Sequence, residues 1–115
     1  MNDEMKNAMG KLFNAINEDY VRWATVAYAK SELISDPSPN WTLEAKPGRS
    51  YIKIIKNEGP NRGSVWGFVV KKDTTKFKEG DILMAASYNA PATNKPRGNI
   101  LEGGYNVEWT GPKYL

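Results

Sequence analysis

Between Tyr88 and Gly104 the chain sets Asn89, Asn94, Lys95, Arg97 and Asn99 among prolines and glycines. Three kinds of chemistry are on offer there. Tyr88 can stack or pack, the Asn amides can donate and accept, and Lys95 and Arg97 can reach a phosphate or a carboxylate, Arg with a two-pronged fork. Pro91 and Pro96 stiffen the backbone and lower the entropy lost when such a loop is held in one shape. The competing expectation is that Arg97 and the Asn side chains satisfy the loop's own carbonyls and amides. A second group is "KKDTTKFK", with Lys71, Lys72, Lys76 and Lys78 around Phe77. Its cations could neutralise phosphates beside an exposed Phe or Trp66. The plainer expectation is that these lysines guard a sheet edge while Phe77 points inward.

Catalysis has little to work with. The chain contains no His and no Cys, which removes imidazole bases, thiolate nucleophiles and the commonest metal ligands together. No phosphate-cradling GxxxxGK[ST] or GxGxxG motif occurs. Asp81, Glu102 and Glu108 show no spacing that selects them as an acid/base pair, and pairing Ser87 with Lys95 is arbitrary. The expectation is a non-enzymatic protein with no cofactor and no metal.

The elements that must position these groups follow from periodicity. Met5, Met9, Leu12, Phe13, Ile16, Tyr20, Trp23, Ala24 and Ala27 form a helical stripe, capped by Asn2, with Asp3 and Glu4 in its first turn. The "SDPSPN" segment stops it near Ile34. So long a helix overhangs its domain or bends at Gly10. An overhang presents Met5, Met9, Leu12 and Phe13 to a partner, a second copy of the chain included.

From residue 41 the period becomes two. "WTLEA", "SYIKIIK", "SVWGFVVKK", "DILMAAS" and "YNVEWT" read as five short strands separated by Gly- and Pro-rich turns. Gly67 inside a strand signals a bulge. The fold class is therefore α+β: one long N-terminal helix on a small, strongly curved antiparallel sheet or SH3-like open barrel of about five strands, all in a single domain. Ile16, Trp23, Ile52, Ile54, Val69 and Ile82 belong to its core. The loop 88–104 is expected to lie beside Trp66 and Lys71, with Tyr88, Asn94, Lys95, Arg97, Asn99, Trp66, Lys71 and Lys72 making the recognition surface.

The net charge of +3 is unevenly spread. Residues 1–48 hold five Lys/Arg against seven Asp/Glu, and residues 49–115 hold eleven against six. A basic half suits nucleic acid or an acidic protein face. No apolar run approaches the roughly 20 residues of a membrane span, and the polar, acidic opening is unlike a signal peptide.

"YIKII", "GSVWGFVV", "FKEGDIL", "AASYNAPATNKPRGNI" and "VEWTGPKYL" together resemble a group of small uncharacterised proteins encoded by tailed bacteriophages. The likeness covers about residues 50–115 and leaves out the helix. That group has no assigned activity, catalytic residue or ligand, so the resemblance implies a setting only: the cytoplasm of an infected bacterium, or the virion. On this reading the chain binds a host or viral protein through its helix or loop. The alternative is a nucleic-acid-binding module built on the basic β half.

Overall fold

A computed structural model describes residues 2–29, 39–59 and 62–112. Helix α1 runs from Asp3 to Ala29. Asn2 caps it as expected: its Oδ1 accepts the Met5 N–H at 2.8 Å, and its carbonyl accepts the Lys6 N–H. The helix continues through Gly10, which is exposed. The expected stop near Ile34 lies outside the described residues.

Strands β1 (Thr42–Pro47), β2 (Tyr51–Gly59), β3 (Arg62–Val70) and β4 (Ile82–Leu83) form one antiparallel sheet in that order. Strands β5 (Val107–Glu108) and β6 (Gly111–Pro112) form a separate two-stranded sheet. The architecture is thus α+β, one long helix with an antiparallel sheet. It departs from the expected five strands in one sheet, and no barrel closes. "YNVEWT" supplies the small hairpin instead of a fifth strand. "DILMAAS" shrinks to two strand residues, because the segment beside it contains Pro91 and Pro96, which cannot donate to a ladder.

Alternation on β2 distributes the core. Ile52 and Ile54 face α1 and share a buried cluster with Leu12, Ile16, Val69 and Ile82. On the other face Phe68, Val70, Leu83 and Phe77 make a second buried cluster, against which Tyr51 packs. Phe77 therefore points inward. Within β3, Trp66–Val70 is buried on both faces, which explains why that stretch reads as a continuous apolar run.

The bulge that Gly67 signalled is present. Ile54 pairs with Gly67 but Ile55 pairs with Val65, so Trp66 is the extra residue. Gly67 is required by close approach: a Cβ there would lie 2.8 Å from Pro112 Cγ and 2.9 Å from the Leu83 carbonyl oxygen. The β5–β6 hairpin is thereby seated on β3, and Trp66 Nε1 donates to the Glu108 carbonyl at 2.8 Å to hold it.

Two expectations about α1 are corrected. Met5, Met9 and Leu12 are buried against the chain's own body, so the N-terminal end offers no free apolar stripe. Trp23, expected in the core, is 49% exposed, and Val26 is 64% exposed. Tyr20 and Ala24, on either side of Trp23, are 8% and 0% exposed, so the stripe stays covered through this turn and Trp23 stands on its flank.

Candidate functional site

The long loop is stapled to its own domain. Ile82 N–H donates to Gly98 O, Arg97 N–H to Ile82 O, Ile100 N–H to Gly80 O, and Ala92 N–H to Met84 O. The segment thus runs as a broken edge beside β4. Gly98 adopts a φ of +133°, and a Cβ there would stand 2.6 Å from Tyr105 Cβ, so the loop packs where only glycine fits.

Three residues expected to meet a partner are turned inward by this packing. Asn99 is buried and uses its whole amide. Nδ2 donates to the Glu79 carbonyl (2.8 Å) and Asp81 Oδ1 (3.0 Å), while Oδ1 accepts the N–H groups of Leu101 and Glu102. Asp81 is engaged as well, its Oδ2 accepting the Lys78 N–H. Arg97 is half-buried, and its Nη1 donates to Asn94 Oδ1 (2.8 Å) and the Lys95 carbonyl (2.6 Å). One prong of its fork closes on its own loop, while its buried Nε has no hydrogen-bond partner among the described residues. Trp66 is buried under the hairpin. A residue count cannot reveal this: unpaired backbone groups in a compact loop take the nearest polar side chains.

What remains exposed comes together elsewhere. The loop's tip meets β2 at Lys53, away from Trp66. Lys53 Nζ donates to Asn89 Oδ1 at 2.9 Å and sits 4.1 Å from the ring centre of Tyr88, which is 51% exposed. Beside it a cleft of about 440 Å³ opens between the tip and the β1–β2 turn. Its cations are Lys46, Arg49 and Lys53, its apolar floor is Tyr51 and Phe68, and no carboxylate lines it. Lys71 pins the turn by donating to the Gly48 carbonyl at 3.0 Å. Lys72 and Lys95 are exposed. The signal for this cleft lies in "KPGRSYIK" (46–53), three cations in eight residues without an acid, within a stretch whose Pro47-Gly48 marks a turn.

A second surface lies at the exposed end of α1. Tyr20 meets Trp41 and Trp109 edge to face at 5.3 and 5.1 Å, and Trp23 lies 5.1 Å from Trp109. Asp19 Oδ2 accepts the Trp109 N–H at 2.9 Å, fixing the hairpin against the helix. Lys56 closes the cluster from below, 4.8 Å from the Trp109 ring centre and 5.5 Å from that of Trp41. A groove of about 550 Å³ runs over Trp23, Val26 and Trp109, rimmed by Asp19, Arg22 and Glu108. Arg22 is bridged to Asp19 at 3.4 Å, so Glu108 is the open charge on the rim.

Burial pushes the Tyr105 phenol above its ordinary range, and Tyr105 lines neither surface. Among the described residues no group of His, Cys, Asp and Glu could hold a metal ion, and no helix is long and apolar enough to cross a membrane.

A helix-backed antiparallel sheet with one basic cleft and one aromatic groove is the class of protein this geometry defines. The chain belongs to a family described as "Family of unknown function (DUF7717)", whose model matches residues 1–114. That match takes in α1, which the resemblance drawn from residues 50–115 had left out. No curated protein and no solved structure matches the chain.

Proposed function

We propose that this protein is a non-enzymatic docking protein that captures another protein on the aromatic groove at the end of α1. The observation that carries the reading is Trp23. A half-exposed Trp, flanked by the exposed Val26 and in tilted ring contact with Trp109, is the residue type that most often anchors an interface. Contiguous exposed apolar surface of this kind marks interaction sites on otherwise polar domains. Trp23 is also held in one orientation by Tyr20 and Trp109, so little entropy is lost when a partner covers it.

The partner's chemistry follows from the rim. With Arg22 already bridged, Glu108 favours a segment that places an apolar side chain over Trp23 and a Lys or Arg beside it. The setting belongs to the same proposal: the partner is a host or viral protein in a phage-infected bacterial cell.

A displayed random-peptide library, panned on the intact protein, tests this. Enriched peptides should share an apolar residue next to a Lys or Arg. They should lose at least ten-fold in affinity on Val26→Glu, a substitution at an exposed position that leaves the fold intact. Enriched peptides that bind Val26→Glu equally well would overturn the reading.

A further inference from the structure

The basic cleft is far from the docking groove in both chemistry and place, and it poses a separate question. Lys46 and Lys53 stand directly opposite each other across β1 and β2. Like charges in that relation destabilise a sheet, and no acid among the cleft's lining residues offsets them. Arg49 adds a third cation at the turn. Neither Lys46 nor Arg49 has a hydrogen-bond or ion-pair partner among the described residues. Lys53 is drawn aside by Asn89 and Tyr88, which leaves the middle of the cleft open over Tyr51.

We propose that this cleft binds single-stranded nucleic acid, with Lys46, Arg49 and Lys53 on the phosphates and Tyr88 as the stacking ring. Cations concentrated without acids call for an anion. The aromatic component decides which anion. Tyr88, half-exposed and in contact with Lys53, stands beside the charges, and its open ring surface binds an unpaired base but gains nothing from a carboxylate-rich peptide. Bases locked in a duplex leave the ring equally idle. Asn89 and Ser50 place amide and hydroxyl groups at the wall, suited to sugar and base edges without a fixed sequence preference. The volume suits about one nucleotide unit at a time, within the range of small-ligand clefts, so the strand passes through the cleft and is not swallowed by it.

The test is fluorescence anisotropy of a labelled 12-mer oligothymidylate with the full chain. Three phosphate contacts on a single strand give a salt slope of about −2, hence roughly a twenty-fold loss of affinity between 50 and 200 mM salt. The double variant Lys46→Gln/Arg49→Gln removes two exposed, unpartnered cations. It should keep its melting temperature and reduce the slope to about −0.7. Tyr88→Ala should weaken binding roughly ten-fold and Tyr88→Phe should restore it. The proposal is overturned if the oligomer does not bind at 50 mM salt, or if the double variant binds with the same slope. It is equally overturned if a labelled oligo-glutamate peptide or a 12-bp duplex binds as tightly as the single strand, since the ring would then play no part. Thymidine monophosphate competing at the oligomer's own concentration would overturn the extended strand in favour of a small ligand.

Discussion

Two lysines on one strand, Lys53 and Lys56, make the same contact with opposite consequences. Each places its ammonium over an aromatic ring, Lys53 over Tyr88 and Lys56 over Trp41 and Trp109. The side chain of Lys56 is only 12% exposed and is paired with Glu58 at 3.6 Å. Its charge is absorbed by the fold, where it fastens β2 to the aromatic cluster. Lys53 faces the other side of the sheet, its partners an amide and a half-exposed phenol in a loop tip. Its charge is still available. The aromatic groove is thus an apolar surface whose cation is paired with an acid, while the cleft is a charged surface without an acid, bordered by a half-exposed ring. Salt should discriminate between them, since exposed charges are screened and apolar burial is not weakened by modest ionic strength.

The strongest way to break this comparison is to remove what both surfaces stand on. Ile54 lies on β2 between the two lysines and is fully buried. Ile54→Ala should cost roughly 2–5 kcal/mol, read by chemical denaturation, and should weaken both surfaces together. Loss at one alone would show that they are held independently. Next comes Asn99→Ala, which leaves the Glu79 carbonyl and the N–H groups of Leu101 and Glu102 without their partner. The expected cost is about 1–3 kcal/mol, with nucleic-acid binding lost more than peptide binding, because the loop forms a wall of the cleft.

Lys56→Ala sharpens the contrast directly. It should cost about 1–2 kcal/mol through lost ring contact and stem packing, whereas Lys53→Ala should change stability by less than about 0.5 kcal/mol. Equal effects would mean the two contacts are alike after all. The smallest effect is expected from Lys46→Gln. Relief of the cross-strand repulsion should leave the melting temperature unchanged or raise it slightly, by no more than about 0.5 kcal/mol in stability. A clear drop would show that Lys46 has a structural role.

Much of the framework was legible before any coordinates. The cap at Asn2, the helical stripe, the period of two after residue 41 and the bulge near Gly67 all follow from local rules, and each is met in the structure. The candidate site was far less legible. The loop residues read as polar, yet Asn99 and Arg97 serve the loop itself. Tyr88 and Lys71 touch Lys53 and Gly48 of the cleft wall, but the cleft's cations Lys46, Arg49 and Lys53 are not legible as a site, since a turn's tip and a strand's neighbour become one only when a distant loop leans against them.

The sequence by itself determined the local periods, the positions of the turns and the absence of imidazole and thiol chemistry, because these depend on residue type and near neighbours. Tertiary structure alone decided which residues of the helical stripe are covered. Met5 and Trp23 lie on the same apolar stripe, yet Met5 is buried while Trp23 is half-exposed beside the buried Ala24. It also decided that β5 and β6 form their own hairpin, since Gly67 admits Pro112 at a distance no side chain would allow. Charge followed the same division. The excess of cations after residue 48 was countable, but whether a lysine is spent on a tryptophan or free for a ligand was settled by the face of β2 on which it stands.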